Sequence, residues 1–147
     1  DEATLLPATL RSLLEQDYPG EFRIVLVDDE SSDGTGDVAR RLAREHPNGA
    51  RLTVTRTPQR PGGWVGKMWA VETGVRVASE GASPGYWLLT DADVEHGPDS
   101  VRRVVAKAEA DRLDLVSQMV LLHAGSSWDG LLVPAFVYFF QKLYHQT

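Results

Sequence analysis

At 147 residues, 42% of them hydrophobic, the chain has room for one domain with a proper core and too little for two ordinary ones. Lys and Arg total 15 against 21 Asp and Glu, and the net charge of −6 repels polyphosphate backbones. Nucleic acid is thereby set aside as a partner, and any anionic ligand needs a local cation to reverse the sign at its site. With no cysteine present, disulfide frameworks, zinc–thiolate sites and thiol nucleophiles are excluded as well.

Leu6, Leu10, Leu13 and Leu14 stand at helical spacing, with Thr4 available as a cap and Pro7 tolerable in the first turn. The segment ends at the turn "DYPG". "FRIVLVD", Phe22 to Asp28, is an apolar run of strand length, followed by the polar "DESSDGT" and a helical pattern from Asp37 to His46. The sequence then repeats this order. Arg51 to Arg56 reads as a strand, Arg60 to Lys67 as a Gly-rich loop, and Met68 to Ser79 as a helix. Tyr86 to Asp91 reads as another strand, Val101, Val104, Val105 and Ala108 as the inward stripe of a helix, and Leu113 to Leu122 as one more strand. Strands alternating with helices predict an α/β domain with a mainly parallel sheet, because parallel neighbours require crossover connections.

Ligands of such sheets bind beyond the carboxyl ends of the strands, where two runs here end alike. "IVLVDDESSDGT" and "WLLTDAD" each pass from apolar residues straight into carboxylates. Asp91 and Asp93, one residue apart, can point at a single cation. Mg²⁺ or Mn²⁺ held by one or two carboxylates plus phosphate oxygens and water is the usual arrangement for diphosphate ligands. The alternative is a solvated turn in which the aspartates only cap and turn the chain. In the first cluster the adjacent carboxylates Asp28 and Asp29 are suited to a base edge and ribose hydroxyls, while Ser32 or Asp33 can cap the next helix, with Gly34 in the turn. Counting an EF-hand from Asp29 puts Arg40 where the bidentate Glu must stand, so that loop is rejected. "PGGWVGKM" is no Walker loop, since Met68 follows Lys67 in place of Ser or Thr. It leaves Lys67 at a helix N-terminus, either facing an anion or solvated. His46, His96, His123 and His145 show no metal-ligand spacing, and no nucleophile elbow is present.

Taken in order, Asp1 and Glu2, "SLLEQDYP", "VLVDDESSDGT", "GWVGKMWAVETG" and "LLTDADV" resemble the family 2 glycosyltransferases of GT-A fold. "VPAFVYFFQKLY", Val133 to Tyr144, is similar to the membrane-associated branch linked to hopanoid biosynthesis. The resemblance implies a fragment. Residues 1–127 would be the nucleotide-sugar-binding part of a GT-A domain, and 128–147 an apolar helix, interfacial or packed on an acceptor half that would carry the catalytic base. It further implies that Asp1, Glu2, Asp28, Asp29, Ser31, Asp33, Lys67 and Asp91 surround a nucleotide-diphosphate sugar, UDP-linked, and that Asp91 and Asp93 hold Mg²⁺ or Mn²⁺. The implied reaction is inverting transfer to the hydroxyl of a lipid or membrane-associated acceptor, at the cytoplasmic face of a membrane. Asp129 in "SWDG" is solitary and reads as a cap. For Leu131 to His145 an interfacial helix and a buried one stand level, since Pro134 interrupts a run too short to span. Two rivals share these residues: a sugar-1-phosphate nucleotidyltransferase, and a non-catalytic nucleotide-binding or membrane-docking module.

Overall fold

A computed structural model describes residues 2–81 and 83–121, and every element below lies in the compact unit Asp1–Val116. The first helix, α1, is Leu6–Leu14. Thr4 does not cap it: Leu5 holds the N-cap position without a side-chain bond, and the Glu2 carbonyl accepts from the N–H groups of Leu5 and Leu6. Pro7 sits in the first turn, where a missing N–H removes no intrahelical bond.

The strands β1 (Ile24–Asp28) and β2 (Leu52–Arg56) pair in parallel, Ile24 against Leu52 through Asp28 against Arg56. Between them run α2 (Thr35–Glu45) and a short 3-10 turn, Gly49–Arg51, which supply the crossover a parallel pair needs. Gly34, not Ser32 or Asp33, occupies the N-cap of α2, in the left-handed region at φ 85°. Leu6, Leu10 and Leu14 of α1 meet Ala39, Leu42 and Leu52 in one buried cluster, with Ile24, Leu26, Val54 and Ala92 packed against it. Each fully buried leucine contributes about 1.5–3 kcal/mol relative to leaving it in water.

Helix α3 (Gly66–Ala78) packs on β1, and α4 (Ser100–Asp111) is closed by Arg112 in left-handed conformation, with Leu113 N–H bonding the Ala108 carbonyl.

Two expected strands are absent from the ladder. Residues 86–91 and 113–121 form no strand, and β1 and β2 make the whole sheet among the described residues. An apolar run records a preference for apolar neighbours, whereas a ladder also requires a free strand edge in hydrogen-bonding register. Neither segment meets one, and Trp87, Leu88 and Leu89 are 46 to 66% exposed. The α/β expectation holds, with a parallel pair as its centre. Among the described residues no helix is long and apolar enough to cross a membrane. Asp1, Leu122, His123, Asp129, His145 and the helix expected over 128–147 lie outside the described residues.

Candidate functional site

Asp28 closes β1 and is the buried member of the first acidic corner, 3% exposed. Its Oδ1 accepts from Ser31 N–H at 3.0 Å, and its Oδ2 lies 3.5 Å from Nε of Arg56, its register partner on β2. Burial pushes the carboxyl up. The Ser31 hydrogen bonds and the Arg56 guanidinium outweigh it and hold the group below the ordinary carboxylate value. Gly36 is the residue that admits this carboxylate, since a Cβ there would stand 2.5 Å from Asp28 Oδ2.

Asp33 is engaged just as fully. Thr35 donates both its N–H and its hydroxyl to Oδ1, and Ala3 donates its N–H to Oδ2 at 2.9 Å. The Thr35 hydroxyl, then the Ala3 N–H, lowers the Asp33 carboxyl to about 2. Glu2 is tied to the same place, its N–H donating to Thr35 Oγ1 at 3.0 Å. Asp28, Ser31 and Asp33 thus have internal partners that fix the loop and anchor the start of the chain to α2.

Asp29 is the outward member. It accepts from Thr57 Oγ1 at 2.8 Å, and its other oxygen lies 3.0 Å from the point where Gly66 would carry a Cβ. Arg60 Nη1 lies 3.2 Å from that same point. Gly66 opens α3, so the missing side chain brings the helix N-terminus against Asp29. The next residue, Lys67, reaches the second corner: its Nζ donates to Asp91 Oδ1 at 2.7 Å. That hydrogen bond, reinforced by the charge of Asp91 and then of Asp93, raises the lysine above its ordinary value. The two acidic corners, more than sixty residues apart in the chain by their numbers, therefore meet at the first turn of α3.

In the second corner Asp91 and Asp93 are exposed while Ala92 between them packs against the leucine cluster. An alanine in that position turns one residue inward and leaves both neighbours outward. Among the described residues no three acidic or histidine side chains form a ready-made metal cage. Two hard oxygen donors on one turn are the donor set of a Mg²⁺ or Mn²⁺ ion that takes its other ligands from water and phosphate. Lys67 is the cation now on Asp91.

Sequence reasoning missed what holds this turn. Ser12 Oγ accepts from His96 N–H at 3.0 Å, and Gln16 Nε2 donates to the Gly97 carbonyl at 2.7 Å. Gln16 Oε1 accepts from Val101 N–H at 3.0 Å. Ser12 lies in the last turn of α1 and Gln16 two residues beyond its end, and a glutamine two positions after the leucine stripe was the available signal. Trp69 anchors the Gly-rich loop, its Nε1 donating to the Pro58 carbonyl at 2.8 Å, with the Trp64 ring edge-on at 5.3 Å.

Comparison with known proteins adds to this geometry. The model of glycosyl transferase family 2 matches residues 1–146. The succinoglycan biosynthesis protein ExoA of Rhizobium meliloti (strain 1021) is 31% identical over 116 residues, which cover 79% of this chain and 32% of that protein. The chain thus spans about a third of that relative's length. No solved structure matches the chain.

Proposed function

The chain belongs to glycosyl transferase family 2, whose domain has the GT-A fold, and from that premise we propose that it forms the donor-binding part of an inverting glycosyltransferase. The observation that carries the reading is the meeting of Asp29, Lys67 and Asp91 at the start of α3. A nucleoside diphosphate sugar presents there what each group needs. Asp29 accepts hydrogen bonds from ribose or base. Lys67, moving from Asp91 to a phosphate oxygen, supplies the local cation that an acidic protein requires. Asp28, Ser31 and Asp33 keep the first corner in shape, with Glu2 tied to it through Thr35.

Asp91 and Asp93 would hold a divalent ion, Mg²⁺ or Mn²⁺, whose chemistry is to offset charge on the departing diphosphate. In the transfer the acceptor oxygen bonds to the anomeric carbon from the face opposite the diphosphate. The bond from that carbon to the phosphate oxygen breaks, and the acceptor proton passes to a carboxylate base. No base is assigned among the described residues.

A lipid-linked acceptor and a setting at the cytoplasmic face of a membrane complete the proposal. Their support is the apolar, aromatic run from Leu131 to His145 and its likeness to the hopanoid-linked branch. The printed name of the Rhizobium relative speaks of succinoglycan, so a polysaccharide acceptor is the contrasting outcome.

The test is a calorimetric titration of UDP with and without Mn²⁺. We expect a metal-dependent gain in affinity for the native chain and its loss in Asp91→Asn/Asp93→Asn, with thermal stability kept. Metal-independent binding that ignores both substitutions would refute the reading.

A further inference from the structure

We infer that Gln16, seconded by Ser12, is the positioning residue of the Asp91–Asp93 turn, acting through the backbone of residues 96–101; the inference rests on that turn being the diphosphate end of the donor site. In a sheet protein a turn at a strand end is ordinarily aimed by the ladder behind it. Among the described residues, 86–91 take part in no ladder, so the β1–β2 pair does not aim this one. Its aim comes from the other side, where three ties join it to Ser12 in the last turn of α1 and to Gln16 just beyond the helix.

Ser12 Oγ takes the His96 N–H, Gln16 Nε2 gives to the Gly97 carbonyl, and Gln16 Oε1 takes the Val101 N–H. The Asp17 N–H adds a fourth bond at 2.7 Å to the Pro98 carbonyl. Gln16 is itself held: its Nε2 also donates to Ser12 O at 2.8 Å, and the residue is 5% exposed. On the near side Ala92 seats the turn on the leucine cluster, to which α1 contributes three members. Thr90 Oγ1 and His96 Nε2, 3.0 Å apart, close the loop across the turn. The segment from Ser12 to Asp17 therefore holds the C-terminal side of the two aspartates, and the leucines of α1 help seat Ala92 between them.

The chemistry at position 16 is specific. A primary amide donates and accepts at once, as a carbonyl and an N–H on the same strand of backbone require. Glutamate keeps the acceptor for Val101 but sets an oxygen against the Gly97 carbonyl. Leucine offers neither: the buried Val101 N–H loses its acceptor, while the Gly97 carbonyl is left with the Ser100 N–H.

The test uses the 147-residue chain as Gln16→Leu and Ser12→Ala, the second removing a single hydrogen bond should the first fold poorly. Two readouts are needed. Amide hydrogen exchange should lose protection at His96 in both variants and at Val101 in Gln16→Leu, while residues 24–28 keep theirs. UDP binding with Mn²⁺ should weaken by about 10- to 100-fold in Gln16→Leu, the range seen when a partner behind a metal ligand is lost, and less in Ser12→Ala. UDP binding without metal should hold. A purely structural role predicts that both binding modes and β1 protection fall together, and that result overturns the inference, as does unchanged metal-dependent binding. If the native chain shows no metal-dependent UDP binding, the donor-site reading fails; the exchange pattern then still decides whether Gln16 holds the turn.

Discussion

The two acidic corners read alike in sequence, apolar run then carboxylates, and differ in what their carboxylates touch. At the first, the buried Asp28 and the exposed Asp33 are engaged by Ser31, Arg56, Thr35 and Ala3, and Asp29 is held at one oxygen by Thr57. At the second, Asp91 and Asp93 are both exposed and share one lysine. The lesson is that a carboxylate's use is set by its competitors for hydrogen bonds. Where backbone N–H groups and a guanidinium surround it, it builds the loop; where they do not, as at Asp91, its partner is an exposed lysine, which the proposed function would have it give up for another cation.

The sharpest way to break this contrast is Asp28→Ala. Removing a buried acceptor leaves Ser31 N–H without its partner, a hydrogen bond to a charged group being worth about 1.5–3 kcal/mol net, and takes from the exposed Arg56 an ion pair that adds little. We expect a loss of about 2–3 kcal/mol in urea unfolding, whereas Asp91→Asn/Asp93→Asn costs ligand binding and leaves the unfolding midpoint in place. Equal destabilisation by both sets would erase the distinction between the corners.

A smaller effect is expected from pH. The Asp33 carboxyl is depressed to about 2 from 3.8, so its contribution is fully present above pH 3.8 and is lost as pH falls toward 2. Asp28, also depressed, acts in the same direction. Asp33→Asn should therefore flatten the decline of thermal stability across that acid window and change little at neutral pH beyond a constant offset. A slope identical to the native one would show that Asp33 is not engaged by Thr35 and Ala3 in solution.

Much of this was legible in the sequence, and the failures share a cause. The leucine stripe of α1, the β-branched run of β1 and the crossover to β2 follow from periodicity, which depends on each residue's own neighbours. Topology predicts Asp29 and Asp91 together as the ends of two parallel strands; the structure gives Asp91 no strand behind it, and the first turn of α3, Gly66 beside Asp29 and Lys67 on Asp91, joins them instead. What periodicity could not supply was partnership. Tyr86 to Asp91 has the composition of a strand, but pairing belongs to two segments and the second is not encoded in the first. The same holds at Gln16, whose hydrogen bonds reach residues more than eighty positions later. Arg56 as the partner of Asp28 required the β1–β2 register, which fixes the opposition of their final residues.

The finest test of the contrast concerns Lys67, because its two roles have opposite signs. The ammonium sits on Asp91 Oδ1, both side chains well exposed, where it would compete with any other cation for that oxygen. Exposed pairs of this kind add little to folding, so Lys67→Met should leave the unfolding midpoint where it is. Mn²⁺ alone, followed by its paramagnetic resonance signal, should then bind the turn more tightly, since a competitor has gone and the charge of Asp91 and Asp93 is uncompensated. UDP with Mn²⁺ should bind about tenfold more weakly, one charge-assisted hydrogen bond to a phosphate having been lost. A single electrostatic effect at the turn would move both affinities the same way. Opposite movement requires the lysine to leave the carboxylate for the diphosphate, the exchange on which the second corner's freedom depends.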